Sequence, residues 1–142
     1  MKVLTATDAN SINKCFDVLQ ALRPQLKKEN LYSLISGMME RGYHLIFIEE
    51  DGKAVCASGF RFTEHLAWGK AIYVDDLSTL PEARGKGLAS ALLEYIFQLA
   101  KEKKCDQVHL DSGCNETRYE AHRLYLKKGF NITSHHFALK IH

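Results

Sequence analysis

The run Asp76-Leu77-Ser78-Thr79-Leu80-Pro81-Glu82-Ala83-Arg84-Gly85-Lys86-Gly87-Leu88-Ala89-Ser90 decides how this chain is read. An extended stretch leads into a glycine-rich loop. The loop opens a long amphipathic pattern, with Leu88, Ala89, Leu92, Leu93, Ile96, Leu99 and Ala100 at helical spacing. The first turn of a helix carries unpaired N–H groups and the positive end of its dipole. Gly85 and Gly87 let the main chain approach an anion with no Cβ in the way, and small Ala89 and Ser90 keep the helix start open. Arg84 and Lys86 add positive charge. Residue chemistry alone predicts a phosphate cradle here.

Working upstream, Trp68–Thr79 reads as extended, and so do Tyr43–Glu50 and Lys53–Phe62, which flank the turn pair Asp51-Gly52. A β-hairpin followed by a third antiparallel strand is expected. Before it lie a short apolar strand, Met1–Ala6, and two helical patterns. The first is capped by Thr7 or Asp8, carries Ile12, Cys15, Phe16, Leu19 and Leu22 on one face, and is interrupted by Pro24. The second, with Leu31, Leu34, Ile35, Met38 and Met39, ends at Gly42. Downstream, Gln107–Asp111 is a short buried-type strand. Asn115 can cap a last helix carrying Ala121, Leu124 and Tyr125 and closed by Gly129, and Phe130–Ile141 reads as terminal β structure. The order β-α-α-β-β-β-α-β-α-β predicts a mixed α/β (α+β) fold, a sheet covered by helices, in a single domain spanning 1–142.

Composition narrows the class. The chain has 142 residues, 46% hydrophobic and 25% charged, with only 2 Pro and 9 Gly, the profile of a soluble globular domain. Net charge is +2, spread as +1 in each half (residues 1–70 and 71–142), so no basic stripe marks a nucleic-acid partner. No apolar run reaches a membrane span, and Asp8 and Asp17 break any secretory leader, which points to the cytoplasm. Cys15, Cys56, Cys105 and Cys114 form no Cys-x-x-Cys pair and read as reduced small hydrophobes. No Cys/His pair has zinc-ligand spacing, and adjacent His135 and His136 would face opposite ways along a strand, so no metal is expected.

Three nucleotide-binding classes could use such a cradle. A P-loop is excluded, because Gly85-Lys86 is followed by Gly87 instead of Ser or Thr. A dinucleotide fingerprint fits poorly, since the third glycine is missing, although Asp111 stands where a ribose-binding acid could. The third class fits: Arg84-x-x-Gly87-x-Ala89, preceded by Leu77-x-Thr79-x-Pro81-Glu82, resembles the coenzyme A signature of the GNAT superfamily of N-acetyltransferases. Ala121-x-x-x-Tyr125-x-x-x-Gly129-Phe130 is similar to a second conserved region of that family, and the element order agrees from the first strand to Phe130.

The resemblance implies a GNAT-like fold, with a mostly antiparallel mixed sheet splayed between its fourth and fifth strands. It implies acetyl-CoA as co-substrate, its pyrophosphate held by Arg84, Gly85, Lys86, Gly87, Leu88, Ala89 and Ser90, and its arm along Leu77, Ser78 and Thr79. The implied reaction is direct attack of a primary amine, of a small molecule or a protein, on the thioester through a tetrahedral intermediate. Tyr125 occupies the family's position for the acid that protonates the leaving thiolate. The base that takes the amine's proton is drawn from Asp75, Asp76, Glu64, His65 and His109, with Asp76 preferred. Asp75 and Asp76 are expected on opposite faces, because strand side chains alternate. Two departures stand out. Arg118 replaces the family's Asn seven residues before the tyrosine, and Phe130–His142 is short for a terminal hairpin. An exposed terminal sheet edge would invite pairing into a homodimer. A non-catalytic acyl-CoA sensor and a dinucleotide-binding domain are the alternatives.

Overall fold

Asp51 and Gly52 both take positive φ, 53° and 76°. That is the turn geometry whose twist matches a two-residue hairpin. It joins β2 (Tyr43–Glu50) to β3 (Lys53–His65), and β4 (Gly69–Thr79) returns antiparallel to β3 along its length. The computed structural model describes all residues, Met1–His142. They fall into two compact units, Met1–Leu110 and Asp111–His142.

In the first unit a short β1 (Leu4–Thr5) pairs with β2, and β5 (Gln107–Leu110) pairs parallel with β4, giving one sheet in the order β1-β2-β3-β4-β5. Helix α4 (Leu88–Glu102) makes the crossover that a parallel pair requires. Leu88, Leu92, Leu93, Ile96 and Ala100 are its buried residues. The residues before the hairpin form α1 (Ala9–Lys14), α2 (Phe16–Leu22) and α3 (Lys28–Glu40). Asp8 caps α1 in a reciprocal box with Ser11, which satisfies two otherwise orphan donors. The single helix expected up to Pro24 is divided at Cys15 (φ −86°, ψ 0°), whose N–H reaches Ile12 O at 3.0 Å. Leu45, Phe47, Ile72, Leu92 and Ile96 sit at the centre of the core. No helix is long and apolar enough to cross a membrane.

The second unit holds α5 (Tyr119–Lys127) after a one-turn helix at Glu116–Arg118. Asn115 does not cap α5. It precedes the one-turn helix, makes no side-chain cap bond, and accepts from Thr117 Oγ1 at 2.5 Å. The end of α5 follows the sequence closely. Gly129 takes φ 101°, its N–H bonds Leu126 O at 3.1 Å, and Phe130 N–H bonds Tyr125 O at 3.0 Å. This is a Schellman closure, accompanied by its usual apolar contact, here the Tyr125 and Phe130 rings edge to face at 5.9 Å.

The terminal β structure expected over Phe130–Ile141 does not form, as one strand or as a hairpin. A strand exists only where its N–H and C=O groups meet a partner ladder, and the sheet ends at β5. Phe137, Leu139 and Ile141 keep their period-two spacing and stand exposed at 89%, 85% and 78%.

Candidate active site

Strand β4 has two different halves. Ala71–Val74 pair with β3 on one side and with Gln107–Leu110 on the other. At Leu110 β5 stops, and Asp75–Thr79 continue with β3 alone. Their second edge therefore presents main-chain N–H and C=O groups to any extended ligand, as a missing strand would meet them. This is the splay expected between the fourth and fifth strands.

The same point carries an irregularity. Gly59 faces Asp76 and Phe60 faces Val74, so Asp75 is an extra residue, a β-bulge in β4. Ser58 Oγ, fully buried, donates to Asp76 O at 2.8 Å and satisfies the carbonyl there. The bulge overturns the expectation that Asp75 and Asp76 point to opposite faces, because a bulge interrupts the two-residue alternation. Arg61 Nη2 holds Asp75 Oδ2 at 2.7 Å, with Arg61 Nε 3.1 Å from Oδ1. Tyr43 Oη donates to Asp76 Oδ2 at 2.7 Å, and Arg23 Nε to Asp76 Oδ1 at 3.1 Å. Tyr43 and Arg61 are paired across β2 and β3, with the Arg61 guanidinium 5.7 Å from the Tyr43 ring centre. Both carboxylates thus enter one cluster beside the open half of β4.

Tyr43 is 4% exposed, and burial first, then the Asp76 charge, pushes its phenol well above the ordinary tyrosine range. It stays protonated and serves as a donor. Its ring runs under Gly59, where a Cβ would stand 1.6 Å from Oη. The remaining base candidates lie elsewhere. Glu64 pairs with Lys70 at the far end of β4, roughly 20 Å along the strand from Asp76 at ~3.3 Å per residue. His65 bonds Thr63 and packs on Trp68, whose other contact is a stack with His109. Sequence reasoning missed Tyr43, Arg23 and Arg61 altogether. The available signal was Gly59, an isolated glycine inside a strand, which marks a bulge or a close approach.

Beyond Thr79 the chain makes a short turn at Pro81–Ala83, and Leu80 N–H is tied to Val55 O at 2.9 Å. Gly85 and Gly87 follow at φ 79° and 78°, with open space where either Cβ would lie. Glycine is needed there for its backbone, since other residues rarely adopt positive φ. Gly87 is also the N-cap of α4 and offers no side-chain acceptor. The first intrahelical bond is Ala91 N–H to Gly87 O at 3.0 Å, so the Leu88, Ala89 and Ser90 N–H groups have no partner within the helix. Arg84 is exposed. Lys86 is exposed too, and its ammonium lies 3.3 Å from Glu50 Oε2, so its charge is shared with that carboxylate. A cleft of about 300 Å³ lined by Glu50, Lys53, Val55, Glu82, Ala83 and Lys86 opens beside the loop. The donors and the free edge suit a diphosphate with an extended amide-bearing arm. Leu77, Ser78 and Thr79 lie on that edge; Thr79 Oγ1 contacts buried Cys56 Sγ at 3.2 Å.

In the second unit Tyr125 is 8% exposed. Burial raises its phenol above the ordinary value, while the nearby charge and hydrogen bond of Arg118 act the opposite way. Arg118 thus favours the ionised phenol, and burial outweighs it. His122 Nε2 lies 2.7 Å from Gly113 O and 3.1 Å from Ser112 Oγ, fixing α5 to the segment before it.

Comparison with known proteins agrees with this geometry. The model of the acetyltransferase (GNAT) family matches residues 12–130. Thialysine N-epsilon-acetyltransferase of Bos taurus is 32% identical over 63 residues, 44% of this chain, and the match spans only 37% of the bovine protein. Among solved structures, glucosamine-6-phosphate N-acetyltransferase from Arabidopsis thaliana superposes with a TM-score of 0.79 at 19% identity, covering 99% of this chain and 98% of that one. An aminoglycoside N-acetyltransferase in complex with CoA gives 0.81 at 12% identity, covering 98% and 93%. At these identities the two structures speak for the fold.

Proposed function

For this chain, which belongs to the acetyltransferase (GNAT) family, we propose transfer of an acetyl group from acetyl-CoA to a primary amine of a small molecule. The observation that carries the reading is the continuity of the half-open strand Asp75–Thr79 with the left-handed glycine loop at the start of α4. Edge groups for an amide-bearing arm and bare N–H groups for a diphosphate follow one another along a single stretch of backbone. Acetyl-CoA, when bound, supplies an acyl group already activated as a thioester. The chain's own residues do the rest. Arg84–Ser90 bind the diphosphate through main-chain N–H groups, with the dipole of α4 behind them. Leu77 and Thr79 bond the arm, and a main-chain N–H near Leu77 faces developing negative charge. Asp76 accepts a proton from the amine, and Tyr125, kept protonated by burial, returns one to the departing sulfur.

The relatives' names, with a lysine analogue and an amino sugar among their acceptors, support small molecules over proteins. A homodimer belongs to the same proposal, supported by the exposed alternation of Phe137, Leu139 and Ile141. Release of free CoA thiol from acetyl-CoA across a panel of lysine analogues and amino sugars tests the activity. Turnover with at least one amine is expected. Tight acetyl-CoA binding with no turnover on any amine would make the chain a binding module instead, and stabilisation by NAD but not by CoA would remove the reading altogether.

A further inference from the structure

Asp76 is held from two sides by residues remote in sequence. Arg23, in the turn after α2, places Nε 3.1 Å and Nη2 3.0 Å from Asp76 Oδ1, and its Nη2 also donates to Asp75 O at 3.0 Å. Tyr43, on β2, donates to Oδ2 at 2.7 Å from beneath Gly59. An ionised carboxylate offers about four acceptor directions. Hydrogen bonds from Arg23 Nε and Tyr43 Oη take one direction on each oxygen, and the Asp76 side chain keeps 15% of its surface open. The remaining charged neighbours are Arg61 from β3 and Asp75 from the same strand, and those two are paired with each other at 2.7 Å.

We propose that Tyr43 and Arg23 are positioning residues for Asp76. Together they fix its carboxylate and aim the unoccupied direction of Oδ2 at the acceptor amine. The inference rests on Asp76 being the base. The step it serves is a single proton transfer, in which an N–H bond of the acceptor ammonium breaks, an O–H bond forms on Oδ2, and the electron pair stays on nitrogen for attack. Gly59 belongs to the same device, because only a residue without Cβ lets the Tyr43 hydroxyl pass beneath β3 to reach Oδ2. The arrangement also ties the turn after α2 to the bulge of β4, so the first helices and the catalytic strand are held in register by the group that reacts.

The test uses the full chain with 13C-labelled aspartate carboxyls, the Asp76 signal being assigned by its loss in Asp76→Asn. Removing a charge-assisted donor changes the surroundings of the carboxyl, so Tyr43→Phe and Arg23→Met should each displace the Asp76 carboxyl signal at pH 7, while signals of aspartates remote from the cluster stay in place. In turnover assays with one fixed amine, kcat should fall about tenfold in both variants while KM for acetyl-CoA stays within about twofold. An unmoved Asp76 signal in variants with parental backbone spectra would overturn the positioning role, as would a parental kcat. Asp76→Asn separates the two layers of the reading. If it keeps parental turnover, Asp76 is not the base; if it is inactive while the other variants leave the Asp76 signal and kcat at parental values, the base stands and the positioning role fails.

Discussion

Replacing Gly59 by alanine should damage this protein out of proportion to the single methyl group added. The new Cβ would stand 1.6 Å from Tyr43 Oη, 2.2 Å from its Cζ and 2.5 Å from its Cε1. None of these atoms is the loose end of a flexible side chain, since the ring is 4% exposed and its hydroxyl is anchored to Asp76 at 2.7 Å. The ring must move. Overpacking of a core costs about 1–3 kcal/mol, and loss of a hydrogen bond to a charged acceptor adds about 1.5–3 kcal/mol. The expected loss is about 3–5 kcal/mol, a large part of the ~5–15 kcal/mol that holds a domain folded. With an unfolding entropy of about 2.1 cal/mol/K per residue, this corresponds to a fall in Tm of about 10–17 °C for the chain. Thermal unfolding by circular dichroism measures it, and a double-mutant cycle assigns it. In a Tyr43→Leu background the same Gly59→Ala change meets no ring and should cost less than about 0.5 kcal/mol, giving a coupling of about 2 kcal/mol or more. A single variant melting within 2 °C of the parent, or equal losses in both backgrounds, would refute the close approach of Tyr43 beneath β3.

Tyr125→Phe should lower kcat at least tenfold while acetyl-CoA affinity, read by calorimetry, stays within about twofold, because only the late proton donation is removed. Gly87→Glu should abolish detectable CoA binding in the same calorimeter, since a carboxylate would sit at the diphosphate in a backbone conformation (φ 78°) that side chains rarely adopt. Thiol titration of the native protein should find Cys114 reactive at once and Cys15 and Cys56 silent until denaturant is added, as their exposures require. Burial pushes the Cys56 and Cys15 thiols up to about 11 and about 12. A raised folded value stabilises below the unfolded one and is lost as pH climbs through the folded one. Tm should therefore hold to about pH 9 and fall between pH 9 and 12, and Cys15→Ala should flatten that decline.

Local signals carried most of the fold. Asp51-Gly52, Asp8 with Ser11, Gly87 before the α4 pattern, and Gly129 before Phe130 are each decided by residues within a few positions of one another. Turn chirality, capping and helical periodicity are short-range physics, and they are written in the sequence. The glycine loop that opens α4 was legible for the same reason, being one continuous stretch of backbone. What lay outside the sequence was everything that depends on how distant segments register. The bulge at Asp75 exists only because β3 and β4 pair with unequal residue counts, and it alone turns two neighbouring carboxylates into one cluster. Arg23 and Tyr43 reach Asp76 across 53 and 33 residues of chain, a proximity no spacing rule encodes. The alternating apolar tail shows the converse: its pattern was read as a strand and none forms, because a strand also needs a partner edge, and that is a property of the tertiary structure alone.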